Sequence, residues 1–570
     1  MNNGLMISAA IIAATVLFAI PLGRYIARVF KGEKTMLDFL APLENFIFKI
    51  SGIDPNAEMD WKQNLRALLT INLVWFIWIM FVLLTQTWHP FWNPDNILSM
   101  EPTQAFNTAV SFVTNTNLQH YSGETGASYL TQLMALAFLQ FVSAGTGIAA
   151  LALLFRGLAN RSSKNLGNFY SQLVRSCTRI LLPLAVVLSI ILLMNQTPMT
   201  FKGSETIVTL QGDTVSVARG PVAAMVAIKQ LGTNGGGFFG PNSTHPFENP
   251  NGITNAAETI AIILIPIAMV FALGFYLNRK KLAWMIMAVM TAGYLMLLIP
   301  TVVQETGGNP MITQMGIIQP EGSMEGKEAR FGSVLSALWS ITTTVTSNGS
   351  VNSMHDSFTS LSGAFQMMGM QLNAFYGGVG VGFINMFIFM IIAVFISGLM
   401  VGRTPEFMGK KIEIREVKIA VLVALLHPLL ILGGTALASH TWMVTENPGE
   451  TLKWLNNPGF HGFSEMLYEF TSSAANNGSG FEGLGDNTAF WNISTGLVML
   501  LGRYIPIIGP LMIAGFLSRK KFIPESAGTL RIDSAMFGVM LFAVILIVGA
   551  LLFIPALVLG PVSEYLTIVR

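Results

Sequence analysis

GTNGGGFFGPNSTHPFENP occupies residues 232–250, and its opening triplet Thr233-Asn234-Gly235 decides how the rest of the chain is read. Three other stretches carry a triplet of the same kind: VTNTNLQHYSGE at 113–124, TTTVTSNGSVNSM at 342–354 and SSAANNGSGFEGL at 472–484. Aligned on Asn115, Asn234, Asn348 and Asn477, successive copies lie 119, 114 and 129 residues apart. A short, moderately apolar segment precedes each one, as in AAMVAIKQLG and LSALWSITTTVT. One Asn-Gly or Ser-Asn-Gly is an ordinary turn signal. Four copies in matching places are an internal repeat, and a repeat governs the choice of fold.

The sequence around the triplets is built for lipid. The 570 residues are 52% hydrophobic and only 11% charged, against roughly 25% charged in soluble domains. Ten apolar runs approach the ~20 residues needed to cross a bilayer, at about 5–27, 66–87, 128–155, 179–196, 254–277, 282–303, 376–402, 417–440, 491–517 and 534–560. Each triplet falls between two of them. The implied unit is span, re-entrant half-helix, loop, span, repeated four times around one axis, with an extra span at each end. The fold class is therefore an all-α polytopic membrane protein. Its divisions fall at 1–60 (first extra span and link), 61–165, 166–281, 282–412 and 413–521 (repeats one to four), and 522–570 (last extra span).

Basic residues orient this layout. With the N-terminus outside, 24 of the 32 Lys and Arg fall in inside segments and seven in outside segments, while Arg503 lies within a span. Lys and Arg are enriched in cytoplasmic loops, so both termini are expected outside. Residues 1–26 lack a basic leader before their apolar run, which favours an uncleaved first helix over a signal peptide. Trp88, Trp92, Trp442 and Trp491 fall near span ends, where indoles favour the interface. The net charge of +2 makes no case for nucleic-acid binding, and the single cysteine, Cys177, excludes an intrachain disulfide and a cysteine-based metal motif.

The triplets suit a potassium filter. A dehydrated potassium ion needs several oxygens in place of its water, and rings of backbone carbonyls supply them. Extended backbone at membrane depth is tolerated where it lines a cavity or is buried in protein. Glycine turns such carbonyls inward without a Cβ clash, and Ser, Thr and Asn side chains anchor the loop or add oxygens. The half-helices aim their negative C-terminal ends at the ion. None of the four triplets contains a carboxylate, which favours a carbonyl filter over a calcium-type one.

In combination these segments resemble the A subunit of the bacterial Kdp potassium-transporting ATPase, and GLMVGRTPEFMGKKI at 398–412 and FIPALVLGPVSEYL at 553–566 extend the resemblance over the whole chain. The resemblance implies the fold of the superfamily of potassium transporters and residence in the bacterial inner membrane with both termini periplasmic. It also implies three partners: a P-type ATPase subunit, a single-span C subunit and a very small membrane peptide. Potassium would be the transported substrate, selected from the periplasm and passed sideways through an intramembrane tunnel, with ATP used by the partner and no covalent cofactor here. Carried onto this chain, the filter comprises Thr114, Asn115, Thr116 and Asn117; Thr233, Asn234 and Gly235; Thr346, Ser347, Asn348 and Gly349; and Asn476, Asn477 and Gly478. The first repeat then carries Thr116 where the others have glycine. Gln119 matches a position that influences selectivity. The resemblance also puts a gate loop below the filter in the span opened by Gly377, Gly378, Gly380 and Gly382, with Arg403 near it.

Other polar residues have plainer readings. An arginine within a span is costly unless paired, so Arg503 is expected to bond pore-loop carbonyls or helix ends and to fix the fourth repeat. His427, before Pro428, reads as hydrogen-bonded packing, and His245 with Glu248 reads as a loop staple, two residues being too few for zinc. Glu469 could brace the pore or charge its vestibule. A membrane enzyme would need ionisable residues clustered at one depth, and the seven histidines are scattered. Neither a D-K-T-G nor a G-x-x-x-x-G-K-[ST] motif occurs, so the chain has no ATP chemistry of its own. The competing reading is a stand-alone Trk- or Ktr-type potassium channel or cotransporter of the same fold.

Overall fold

The structure is a computed structural model that describes residues 2–160, 162–402, 405–524 and 531–569. Among the described residues, ten helices are long and apolar enough to cross a membrane: Asn3–Lys31, Trp61–Trp88, Tyr129–Ala159, Phe169–Met194, Gly252–Tyr276, Lys280–Gln314, Val381–Met400, Ile414–Val444, Ala489–Arg519 and Ala535–Val569. Local chemistry sets several of their starts. Asp60 accepts from Gln63 N and Asn251 from Thr254 N, each within a capping box, and Ser534 caps the last span.

Four shorter helices lie between spans and stop at the triplets: Pro102–Val113, Val222–Leu231, Gly332–Val345 and Phe460–Ala475. Their side chains are almost all buried although three of the four carry several polar residues. They form the inside of a bundle rather than a surface loop. The span after each short helix forms the inner wall. Its most apolar stretch is 83%, 78%, 67% and 56% buried in the four repeats, against 22% and 33% for the two end spans.

The end spans pack outside this wall. The first runs along Gly252–Tyr276, where Gly23 approaches so closely that an added Cβ would stand 2.5 Å from Ala268 O. Small residues permit that backbone approach between membrane helices. Gly4 touches Val334 near the start of the third short helix, and Ile568 O accepts from Gln314 Nε2. Both chain ends therefore lie on the side from which the short helices enter.

The third repeat departs from the expected single span at 376–402. Its inner element is broken into Ser360–Leu372 and Val381–Val401, separated by a non-helical segment at 373–380. Asn373 ends the first piece in a left-handed conformation at φ 42°, and Gly377 and Gly380 follow at φ 64° and 81°. The glycines permit the left-handed turns that follow Asn373, a region disfavoured for residues with a Cβ.

Candidate functional site

The four short helices end on one axis, and their last turns fix the loops in a common way. The N–H of Thr116 bonds Ser111 O, Asn234 N bonds Lys229 O, Asn348 N bonds Thr343 O and Asn477 N bonds Ser472 O, each reaching back five residues. The residue before each takes a left-handed conformation: Asn115 at φ 65°, Thr233 at 48°, Ser347 at 49° and Asn476 at 53°. This pattern moves the first loop by one position from the alignment on Asn115. Thr116 stands where the other loops have asparagine, and Asn117, at φ 58°, stands where they have glycine. The sequence Thr-Asn-Thr-Asn offers two asparagines, and only the backbone distinguishes them.

The carbonyls of the realigned positions converge. A Cβ added to Gly235 would meet Thr116 O at 2.9 Å, Asn477 O at 3.0 Å and Asn348 O at 3.1 Å. Gly478 and Gly349 are equally confined, with Thr116 O and Asn477 O each 2.1 Å from the position of an added Cβ. Glycine is required here by close approach, and oxygens from three loops face the fourth.

Asparagine side chains turn away from this centre and tie neighbouring loops together. Asn115 Nδ2 donates to Thr233 O at 2.9 Å, Asn117 Nδ2 to Asn234 Oδ1 at 3.1 Å, Asn477 Nδ2 to Thr343 O at 2.8 Å and Asn476 Nδ2 to Thr116 Oγ1 at 2.9 Å. Thr114 Oγ1 and Thr116 Oγ1 lie 2.8 Å apart, and Thr346 Oγ1 donates back to Thr342 O. Gln119 and Gly237 bond reciprocally, Gly237 N to Oε1 at 2.8 Å and Nε2 to Gly237 O at 3.2 Å. These side chains hold the loops, and the backbone is left to face the axis.

Several supporting residues went unread in the sequence. Gln140 Nε2 donates to Asn117 Oδ1 and Gly236 O, and Ser143 Oγ donates to Asn115 Oδ1. Their signal is a spacing: Gln140 and Ser143 lie three apart in a mostly apolar span and so share one helix face. Lys229 is one of the seven basic residues that the sequence places in outside segments. It is wholly buried, pairs with Glu248 and donates to Asn242 Oδ1 and Ser243 Oγ at 2.7 Å. Asn242 Nδ2 in turn donates to Gly235 O at 2.5 Å.

His245 stacks on Phe239 with ring centroids 3.7 Å apart, in keeping with a loop staple. Glu469 faces His120, whose Nε2 is 3.3 Å from Glu469 Oε1 and 3.9 Å from Asp486 Oδ2. Burial opposes the charge of His120, but Asp486 and Glu469 outweigh it and push the imidazole up to about 9.

The glycine segment of the broken third-repeat element lies directly under the loops. A Cβ on Gly378 would be 3.6 Å from both Ser347 Cβ and Thr233 Oγ1. Val379 N donates to Thr233 Oγ1, Gly377 N to Val345 O, and Ser347 Oγ to Asn373 Oδ1. Arg503 is buried beside it, with Nη2 3.3 Å from Ser143 O and close to Gly147, which abuts Val379 O. It joins the fourth repeat to the inner helix of the first. Arg403 lies outside the described residues. A cavity of about 60 Å³ is lined by Gln371, Asn373, Asn385, Phe389, His427 and Gly502 among others. His427 Nε2 lies 3.1 Å from Met370 O.

Comparison with known proteins covers nearly every residue. The family model of the Potassium-transporting ATPase A subunit matches residues 9–566. The chain belongs to that family. A protein of Flavobacterium johnsoniae is 62% identical over 574 residues, covering 100% of both chains. One of Phocaeicola vulgatus is 57% identical over 572 residues with the same coverage, and one of Geobacillus kaustophilus is 49% identical over 554 residues, covering 97% of each. All three are described as potassium-transporting ATPase potassium-binding subunits.

Proposed function

We propose that this chain is the potassium-binding and translocating subunit of an ATP-driven potassium uptake complex, with its selectivity filter in the four loops. The observation that carries this reading is the convergence of Thr116, Asn348 and Asn477 carbonyl oxygens around Gly235. Carbonyl rings replace the hydration shell of potassium, and the C-terminal ends of four short helices add negative potential there. The filter residues are Thr114 to Asn117, Thr233 to Gly235, Thr346 to Gly349 and Asn476 to Gly478, with Gln119 bracing the second loop. The division into four pore repeats flanked by end spans belongs to the same proposal.

The exit is proposed to be lateral. The glycine segment at 377–380 and the Arg503 guanidinium stand below the loops and oppose a cation moving straight through. The cavity beside them offers a path toward a partner within the membrane. The names of the relatives, potassium-transporting ATPase potassium-binding subunits, support an ATPase as that partner. This chain holds no ATP motif, so hydrolysis, and with it the P-type subunit, the C subunit and the small peptide, belongs to the assembled complex. The excess of basic residues on one side supports both termini outside, and the family supports a bacterial inner-membrane location. Membership of the A subunit family leaves a stand-alone Trk- or Ktr-type transporter unsupported.

The test is potassium-stimulated ATPase activity of the purified complex, wild type against Gly235→Asp. A carboxylate at this position crowds three carbonyls and adds charge. The expected result is a half-stimulating potassium concentration raised by at least about 10-fold, equivalent to ~1.4 kcal/mol, or stimulation by other monovalent ions. An assembled variant with unchanged affinity and selectivity would move the ion site out of these loops.

A further inference from the structure

Away from the axis, on the side where the short helices begin, three distant parts of the chain bring acidic groups onto one histidine. Asp356 comes from the segment after the third loop, His461 and Glu465 from the first turns of Phe460–Ala475, and Glu564 from the last span. His461 Nε2 is 2.9 Å from Asp356 Oδ1 and 4.0 Å from Glu465 Oε1, while its Nδ1 is 3.0 Å from Glu564 Oε1. Phe481 stacks on the imidazole with an interplanar angle of 12° and fixes its plane.

Glu465 is the anomaly. Its side chain is 0% exposed and neither carboxylate oxygen has a hydrogen bond of good geometry, with only a weak further contact from the backbone of Asn457. Glu465 Oε1 points to the same place as Asp356 Oδ2, both 2.7 Å from the position of a Cβ added to Gly483. A buried carboxylate without partners is costly. A histidinium would hydrogen-bond Asp356 and Glu564 but stand 4.0 Å from Glu465 Oε1, beyond hydrogen-bond reach.

We propose that Asp356, His461 and Glu465 form a binding site for a divalent transition-metal ion of the zinc type. Imidazole nitrogen and Asp or Glu oxygen are both zinc ligands, and three protein ligands leave a fourth position open. One ligand atom from each residue lies within 4.8 Å of the others. The 2.9 and 4.0 Å separations from His461 Nε2 bracket the roughly 3.3 Å edge of a tetrahedron with ~2.0 Å bonds. Glu564 takes the outer role, accepting from Nδ1–H and holding Nε2 free for the metal, as carboxylate–histidine–zinc triads do. Glu482 holds the Asp356 arm by accepting its backbone N–H at 3.1 Å. A pocket of about 260 Å³ lined by Asp356, His461 and Glu564 gives access. Bound metal would lock the start of the fourth short helix to the third repeat and to the last span.

The test uses the whole complex, purified without a histidine tag, stripped with chelator, exposed to micromolar Zn²⁺ and freed of excess. Zinc is then counted by mass spectrometry and its surroundings read by X-ray absorption. The expected result is one zinc per chain, coordinated by nitrogen and oxygen with an imidazole signature. Glu465→Gln and His461→Gln should each weaken zinc binding at least 10-fold. Glu564→Gln, which leaves all three ligands in place, should weaken it by about 10- to 100-fold. A wild-type complex that retains no zinc overturns the proposal, whatever the variants do. So does zinc held without imidazole, or held equally well by Glu465→Gln.

Discussion

The second and fourth loops present the same Asn-Gly backbone to the axis, and opposite chemistry holds them from behind. Behind the second, Lys229 lies buried against Glu248, Asn242 and Ser243, with Ser243 Oγ and Gln230 Nε2 donating to Glu258 Oε2 at 2.9 and 2.7 Å. Behind the fourth there is a neutral relay. His355 Nδ1 lies 2.8 Å from Tyr468 OH, Tyr468 OH lies 2.8 Å from Ser479 Oγ, and Ser479 Oγ donates to Asn477 Oδ1 at 2.6 Å. The demand common to both loops is a fixed carbonyl direction. Either means meets it, so the repeats share backbone geometry without sharing their scaffolds.

The sharpest way to break the comparison is to remove the ionic support. In Lys229→Met, Glu248 loses its cation in a fully buried site, and Asn242, which holds Gly235 O, loses a donor. Removing one partner of a buried pair costs about 3–5 kcal/mol. Thermal denaturation of the complex should show a loss of that order, with potassium half-stimulation raised more than 10-fold in any complex that survives. Lys229→Met with Glu248→Gln should recover part of the stability, because no buried charge is then stranded. A fully stable single variant would mean that Lys229 is a passenger.

This contrast also marks how far the sequence could be read. The ten spans and the four triplets between them were legible because lipid demands long apolar runs and the repeat supplied a register. The one-residue shift in the first loop was not, since Asn115 and Asn117 look alike until their φ angles and the Thr116 N–H bond are known. The glycines at 377–382 announced a break, but the helix before it, SLSGAFQMMGMQL, is too short and too rich in glycine and polar residues to read as a span piece. Lys229 looked like an outside charge because its partners, Glu248 and Asn242, lie beyond the loop. Asp356, His461, Glu465 and Glu564 are separated by up to 208 residues, and no local pattern joins them.

An intermediate effect is expected where a charge does support the fourth repeat. His120 is buried against Glu469 of the fourth short helix and Asp486 of the following loop, and Asn492 Oδ1 is 2.6 Å from its Nδ1. Its folded value of about 9 exceeds its ordinary 6.5. The charged form therefore stabilises the fold fully below about pH 6.5, and this contribution is lost as pH rises through about 9. His120→Gln should cost about 1.5–3 kcal/mol near neutral pH, the range for hydrogen bonds to charged groups. The stability gap from wild type should narrow from about pH 6.5 upward and close as pH passes about 9. A gap independent of pH would show that the imidazole acts by shape alone.

The smallest effect belongs to the neutral relay. Burial and the nearby Lys327 push His355 down to about 3, so it is neutral at ordinary pH. Ser479 donates to Asn477, which leaves its oxygen to accept from Tyr468, and Tyr468 accepts from His355 Nδ1–H. Tyr468→Phe removes one hydroxyl from this chain while the ring keeps its stack on Phe481, centroids 4.2 Å apart. Asn477 also retains its bond to Thr343 O at 2.8 Å and the bond it accepts from Ser479 N at 3.0 Å, so the loop keeps its other anchors. The net worth of such a neutral hydrogen bond is about 0.5–1.5 kcal/mol, and half-stimulation by potassium should move by less than about 10-fold. A loss as large as that of Lys229→Met would mean that the fourth loop depends on a single hydroxyl as heavily as the second depends on a buried charge, and the two scaffolds would then be equivalent in strength as well as in purpose.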